Sequence, residues 1–248
     1  MRNKKRYADR FVGTTPSDEK QLEDRQQKVL ALFGRYKFER ILDVGCGDGN
    51  FSVLLQEACK AEEVCGLEIS AKGVELARSN GVKCLQLDVD EDDFPFEAEY
   101  FDAVFAGEVI EHVFDTDHFL DEVHRILKPD GTFVLTTPNL AAIHNRIALL
   151  FGYQPYPMKV SLNYALGHFI YPGWGASEHV RVMTRKGLVE LLRVHGFKII
   201  RITASGMSFP KDFQLFGLNL IKAIDKLITR LFPSLGYHSI VEVKRTDE

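Results

Sequence analysis

Two carboxylates and an imidazole stand at Glu108, Glu111 and His112, three and four residues apart. Residues at those intervals share one face of a helix, so a helical reading of 108–112 brings three ligating or proton-transferring groups together. Mixed oxygen and nitrogen donors suit a divalent cation such as Mg²⁺. A further histidine, His179, precedes a helix expected to start near Thr184 and completes a candidate metal set of Glu108, Glu111, His112 and His179. Without a cation, His112 or His179 serves as the catalytic base for a substrate hydroxyl, since imidazole titrates near neutrality. The plainer alternative is an acid that stabilises a helix start, with a histidine packed beside it. Asp115, Asp117 and His118 read as helix capping and a solvated face.

These groups need a scaffold, and the stretch 41–51 supplies its first part. The apolar run Ile41-Leu42-Asp43-Val44 carries an acid and ends at Gly45, Gly47 and Gly49, after which a helix opens. A strand, tight turn and helix start is where open α/β sheets hold nucleotide-like cofactors. A dinucleotide-binding turn needs a glycine three places after Gly47, and Asn50 stands there instead. A second strand over 62–69 ends near Glu68, roughly 20 residues on, the offset at which an acid holds ribose hydroxyls. A third strand over 82–89 closes near Asp88, and a fourth covers 101–107. The turn Lys128-Pro129-Asp130-Gly131 leads into a fifth over 132–138.

The pattern Asp43-x-Gly45-x-Gly47-x-Gly49, followed by acids at successive strand ends, resembles the class I Rossmann-like S-adenosylmethionine (SAM) methyltransferases across residues 38–138. The resemblance implies SAM as cofactor. It places Asp43 and the glycines at the methionine end, Glu68 on the ribose and Asp88 on adenine. The cofactor set it implies is Asp43, Gly45, Cys46, Gly47, Glu68, Ile69, Asp88, Val89, Gly107 and Glu108. Glu108-x-x-Glu111-His112 with a distal His179 is similar to the arrangement of metal-dependent small-RNA 2′-O-methyltransferases, and the ubiquinone-pathway O-methyltransferases carry a similar constellation. The flanks of His179 match the RNA enzymes poorly.

The expected fold is a single α/β domain over 1–248: a seven-stranded, mostly parallel, doubly wound sheet with an antiparallel last strand and helices on both faces. Strands over 197–202 and 238–244 supply the sixth and seventh. Three additions are expected: an N-terminal cover over 1–35 with a helix from about Thr15 to Phe33, a lid over 139–178 and a helical insertion over 207–236. The lid is rich in aromatic, Pro and Gly residues, including Tyr171 and Trp174, and has a short apolar helix over 140–151. Apolar residues at helical spacing over 211–232 predict an amphipathic helix. It packs on the domain or on a second copy in a homodimer, with peripheral membrane contact as the minority reading.

Composition narrows the function. A net charge of −4 with mixed signs disfavours nucleic acid as partner. Four cysteines without a Cys-x-x-Cys pair read as buried thiols in a reducing compartment. With no secretory signal and no apolar run long enough to span a bilayer, the expected location is the cytoplasm. The expected activity is methyl transfer to an oxygen, less readily a nitrogen, of a small-molecule or lipid- or sugar-like acceptor. RNA 2′-O-methylation is the alternative enzyme, and a non-catalytic SAM-binding regulatory or scaffold protein is the alternative of another class.

Overall fold

The computed structural model describes residues 22–161, 163–164, 166–168, 179–206 and 218–247. The expectations for 1–21, for Tyr171 and Trp174, and for 207–217 lie outside these residues. Helix α1 (Asp24–Phe33) starts at Glu23, which exchanges hydrogen bonds with Gln26 in a capping box. Strand β1 (Arg40–Val44) follows, then α2 (Asn50–Cys59), β2 (Glu63–Glu68), α3 (Ala71–Ser79), β3 (Lys83–Gln86) and β4 (Phe101–Gly107). A 3₁₀ turn (Ile110–His112) leads to α4 (Thr116–Ile126), β5 (Leu127–Pro138), α5 (Ile143–Leu150) and α6 (Arg185–Val194). The chain closes with β6 (Phe197–Ser205), α7 (Leu218–Leu231), a second 3₁₀ turn (Pro233–Leu235) and β7 (His238–Arg245).

The sheet order is β3-β2-β1-β4-β5-β7-β6, with β7 antiparallel to both neighbours and the other pairs parallel. The expected fold class is borne out. Strand order reverses between β1 and β4, so their C-terminal ends bound the crevice where such sheets bind ligands. Alternation along β1 explains why both faces are covered. Ile41 joins the layer formed with α1 and α2 through Val29, Phe33 and Leu55, while Leu42 joins the layer of Phe119, Leu120 and Val123 from α4.

One expected turn takes a different form. Lys128 to Gly131 lies inside β5 rather than before it. Phe101 pairs with Leu127 but Ala103 pairs with Thr132, so the extra residues bulge out of the ladder, and Asp130 has φ 58°. Asp115 caps α4 through the amide of His118 (3.0 Å) and Thr184 caps α6 through Gly187 (3.2 Å), as their residue types predict.

Candidate active site

The crevice has a cofactor side built by β1, β2 and β3. Asp43 is buried and accepts a 2.6 Å hydrogen bond from Ser52 Oγ. Burial pushes its carboxyl up to about 7, in spite of that bond and with the charge of Glu68 adding to the rise. The loop after β1 is pinned by Gly45 N and Cys46 N, which both donate to the Leu67 carbonyl (2.7 and 3.1 Å). Gly45 and Gly49 have φ of 71° and 77°. A Cβ on Gly45 would lie 2.6 Å from Val109 Cγ2, and one on Gly49 2.8 Å from Ala77 Cα, so both positions require glycine.

Glu68 closes β2 and braces that loop: Oε2 accepts from Gly47 N and Oε1 from Ser70 N, each at 2.9 Å. An ionised carboxylate has about four acceptor sites, so capacity remains for ribose hydroxyls. Asp88 lies two residues beyond the end of β3 and accepts from Asp90 N (3.1 Å). Ile69 receives Gln86 Nε2 on its carbonyl, and Val89 packs against the core. Cys46 Sγ touches Cys84 Sγ at 3.4 Å, and all four cysteines are free thiols.

The transfer side begins where β4 ends at Gly107. Here the helical reading of 108–112 is corrected. Glu108 has φ 60°, outside any right-handed helix, and only Ile110–His112 turn, as a 3₁₀ segment. The Glu108 carboxylate therefore does not join the cluster of Glu111, His112 and His179. It takes Thr136 Oγ1 at 2.9 Å, His238 Nε2 at 3.2 Å and Arg25 Nε at 3.9 Å. Burial alone raises a carboxyl, but His238 and Arg25 outweigh it and hold Glu108 well below the usual range.

The other three residues of the set do meet. One ligating atom each from Glu111, His112 and His179 fall within 4.8 Å of one another. Glu111 is fully buried. Thr137 Oγ1 donates to its Oε2 at 2.9 Å, while Oε1 has no hydrogen-bond partner among the described residues. Burial, then the charge of Glu108, raise this carboxyl well above its ordinary value. The Glu111 carbonyl accepts Val180 N (2.7 Å) and Arg181 N (3.0 Å), which holds His179 beside His112 with ring centroids 4.8 Å apart. His179 Nδ1 lies 3.1 Å from the Pro157 carbonyl, which can only accept, so Nδ1 carries the proton and Nε2 keeps its lone pair. Burial, then neighbouring His112, push His179 down to about 4, leaving it neutral at physiological pH.

Several contributors escaped sequence reasoning because they arrive from distant elements. Arg25 on α1 donates to Thr136 Oγ1 (3.2 Å), and its Nη1 lies 3.6 Å from where a Gly107 Cβ would stand. His238, the first residue of β7, bridges Glu108 and Ser205 Oγ (2.9 Å). Asn139 Nδ2 donates to the carbonyls of Ser234 and Gly236 at 2.9 and 3.0 Å. His144 on α5 packs on Tyr237 (5.0 Å), and its buried Nε2 has no hydrogen-bond partner among the described residues. Burial, then His238, push His144 down to about 4.

A family model described as a methyltransferase domain matches residues 17–202, well over half of the chain. The chain belongs to the methyltransferase-domain family. Ubiquinone biosynthesis O-methyltransferase of Actinobacillus pleuropneumoniae serotype 5b (strain L20) is 32% identical over 123 residues, covering 46% of this chain and 50% of that protein. The mitochondrial ubiquinone biosynthesis O-methyltransferase of Mus musculus is 31% identical over 128 residues, 46% of this chain and 33% of that protein. The chain thus spans half or less of the length of these curated relatives. Among solved structures, a SAM-dependent methyltransferase from Mesorhizobium loti superposes with TM-score 0.59 at 20% identity, over 92% of this chain and all of that one. A chain of the Haloferax volcanii complex between the Trm112 methyltransferase activator and a methyltransferase gives TM-score 0.62 at 18% identity over 93% of both. At such identities the likeness is one of fold, and it agrees with the class I reading of the glycine loop and strand-end acids.

Proposed function

We propose that this methyltransferase-family chain transfers a methyl group from SAM to a hydroxyl oxygen of a small-molecule acceptor, with a divalent cation held by Glu111, His112 and His179. SAM supplies an electrophilic methyl group on its sulfonium. Glu68 would hold its ribose, Asp88 its adenine, and the loop Gly45-Cys46-Gly47 would let it approach the backbone. At the methionine end, Arg25 offers a guanidinium for the carboxylate, and the low-pKa Glu108 offers an anion for the amine.

The convergence of Glu111, His112 and His179 directly beyond β4 carries the oxygen assignment. A buried carboxyl whose Oε1 has no partner among the described residues and a neutral imidazole with its lone pair on Nε2 suit a cation, and the Pro157 carbonyl orients the imidazole as outer partners of ligating histidines do. A cation held there would lower the pKa of an acceptor hydroxyl, so that its proton would pass to water and no strong protein base is required. His112 and His179 then act as ligands, and His179, pushed down to about 4, is a poor general base at neutral pH. The names of the relatives in ubiquinone biosynthesis also favour oxygen. The test is release of S-adenosylhomocysteine from SAM with a panel of phenolic acceptors. Chelator should abolish turnover and Mg²⁺ or Mn²⁺ restore it, with cofactor affinity unchanged. Full turnover in chelator would reject the cation.

A further inference from the structure

Charge is divided unevenly along the chain. Residues 1–130 carry 17 Lys and Arg against 28 Asp and Glu, whereas 131–248 carry 14 against 7. No acidic residue occurs between Asp130 and Glu178. Asymmetry of this size points to an anionic partner for the second half.

The acid-free stretch also exposes large apolar side chains. Leu150 is 80% exposed, Phe151 71%, Val160 64% and Tyr164 68%; on α7, Leu227 is 56% and Leu231 60% exposed. Large apolar side chains exposed in such number mark a candidate interaction surface. The two elements share one end of the sheet. Asn139, ahead of α5, is bonded to Ser234 and Gly236, just beyond α7, and His144 of α5 packs on Tyr237. Arg146, Lys226 and Arg230 are exposed on the same two helices. Pro157, within the apolar stretch, orients His179, so this surface flanks the transfer site.

We infer that the exposed side chains of α5, Phe151, Val160 and Tyr164, with those of α7, form a surface that docks on an anionic lipid bilayer. Leu150, Phe151, Leu227 and Leu231 enter the headgroup boundary, while Arg146, Lys226 and Arg230 face lipid phosphates. Charge decides between occupants. A two-fold contact with a second copy would set like-charged patches together, and a nucleic-acid backbone would match the charge but leave the aliphatic groups in water. Among the described residues no helix is long and apolar enough to cross a membrane, and the contact inferred through these side chains is a peripheral one. This inference stands apart from the proposed reaction.

The test is pelleting of the full chain with vesicles of phosphatidylcholine alone or mixed with phosphatidylglycerol, at low and high salt. The mixed vesicles should bind it at low salt, with partitioning about tenfold weaker on phosphatidylcholine alone or at high salt. Leu150→Ser with Phe151→Ser should weaken binding about tenfold while leaving S-adenosylhomocysteine affinity unchanged, and Lys226→Glu with Arg230→Glu should remove the salt-sensitive part. Absence of binding to the mixed vesicles, or binding indifferent to both double substitutions, overturns the inference. So does a dimer seen by light scattering that the apolar double substitution splits, if vesicles fail to bind.

Discussion

The cofactor side and the acceptor side of the crevice share one edge of one sheet, yet they are built in opposite ways. On the cofactor side each acid already has partners from its own neighbourhood: Asp43 takes Ser52, Glu68 takes Gly47 and Ser70, Asp88 takes Asp90. On the acceptor side, Glu111 Oε1 and His144 Nε2 are buried without a hydrogen-bond partner among the described residues, and the surrounding surface is apolar and cationic. A buried polar atom left unpaired costs roughly 1–3 kcal/mol. The difference teaches that the cofactor side is a rigid, satisfied cradle, whereas the acceptor side gives up stability to keep polar groups ready for ligands.

Substitutions that strike the cradle should therefore be costly, and the costliest is at the loop. Gly49→Ala adds a methyl group against the Ala77 backbone at φ 77°, and urea unfolding should show a loss of about 2–4 kcal/mol. A variant as stable as wild type would mean the cradle is not rigid.

The second break is by pH. Asp43 is raised from its ordinary value near 3.8 to about 7, so the unfolded chain releases its proton first as pH rises. The stabilising contribution is full below 3.8, declines from there and is lost above about 7, a difference of order 2–4 kcal/mol. Comparing unfolding of wild type and Asp43→Asn between pH 4 and 8 isolates it. Parallel profiles would show that Asp43 is not a buried acid.

A smaller effect is expected from the cofactor contact itself. Glu68→Ala should weaken S-adenosylhomocysteine binding by roughly ten- to a hundredfold in calorimetry, the value of one charge-assisted hydrogen bond at about 1.5–3 kcal/mol. Unchanged affinity would remove Glu68 from the pocket. Smallest of all, Leu150→Ser on the exposed acceptor face should shift unfolding by no more than about 0.5 kcal/mol, and a larger loss would make that face part of the core.

The same contrast explains what the sequence could tell. Strands β1, β2 and β4, the positive-φ glycines and the caps Asp115 and Thr184 are local matters of residue type and period, and they read directly. The helix expected over 108–112 failed because spacing logic assumes right-handed backbone, and Glu108 at φ 60° breaks it. No local signal marks residue 108 as left-handed. Arg25 and His238 were invisible for another reason: they reach Glu108 from sequence separations of 83 and 130 residues. An arginine in a charged helix and a histidine opening a strand look ordinary until the sheet order brings them together.

The central claim is that cofactor and cation sit side by side across this crevice. Anomalous diffraction from crystals grown with Mn²⁺ and S-adenosylhomocysteine tests it most directly. The account predicts one anomalous peak among Glu111, His112 and His179, with Glu108 not a ligand and the cofactor's ribose on Glu68. Cofactor bound on Glu68 with no peak among those three side chains, or a peak ligated by Glu108, would contradict it.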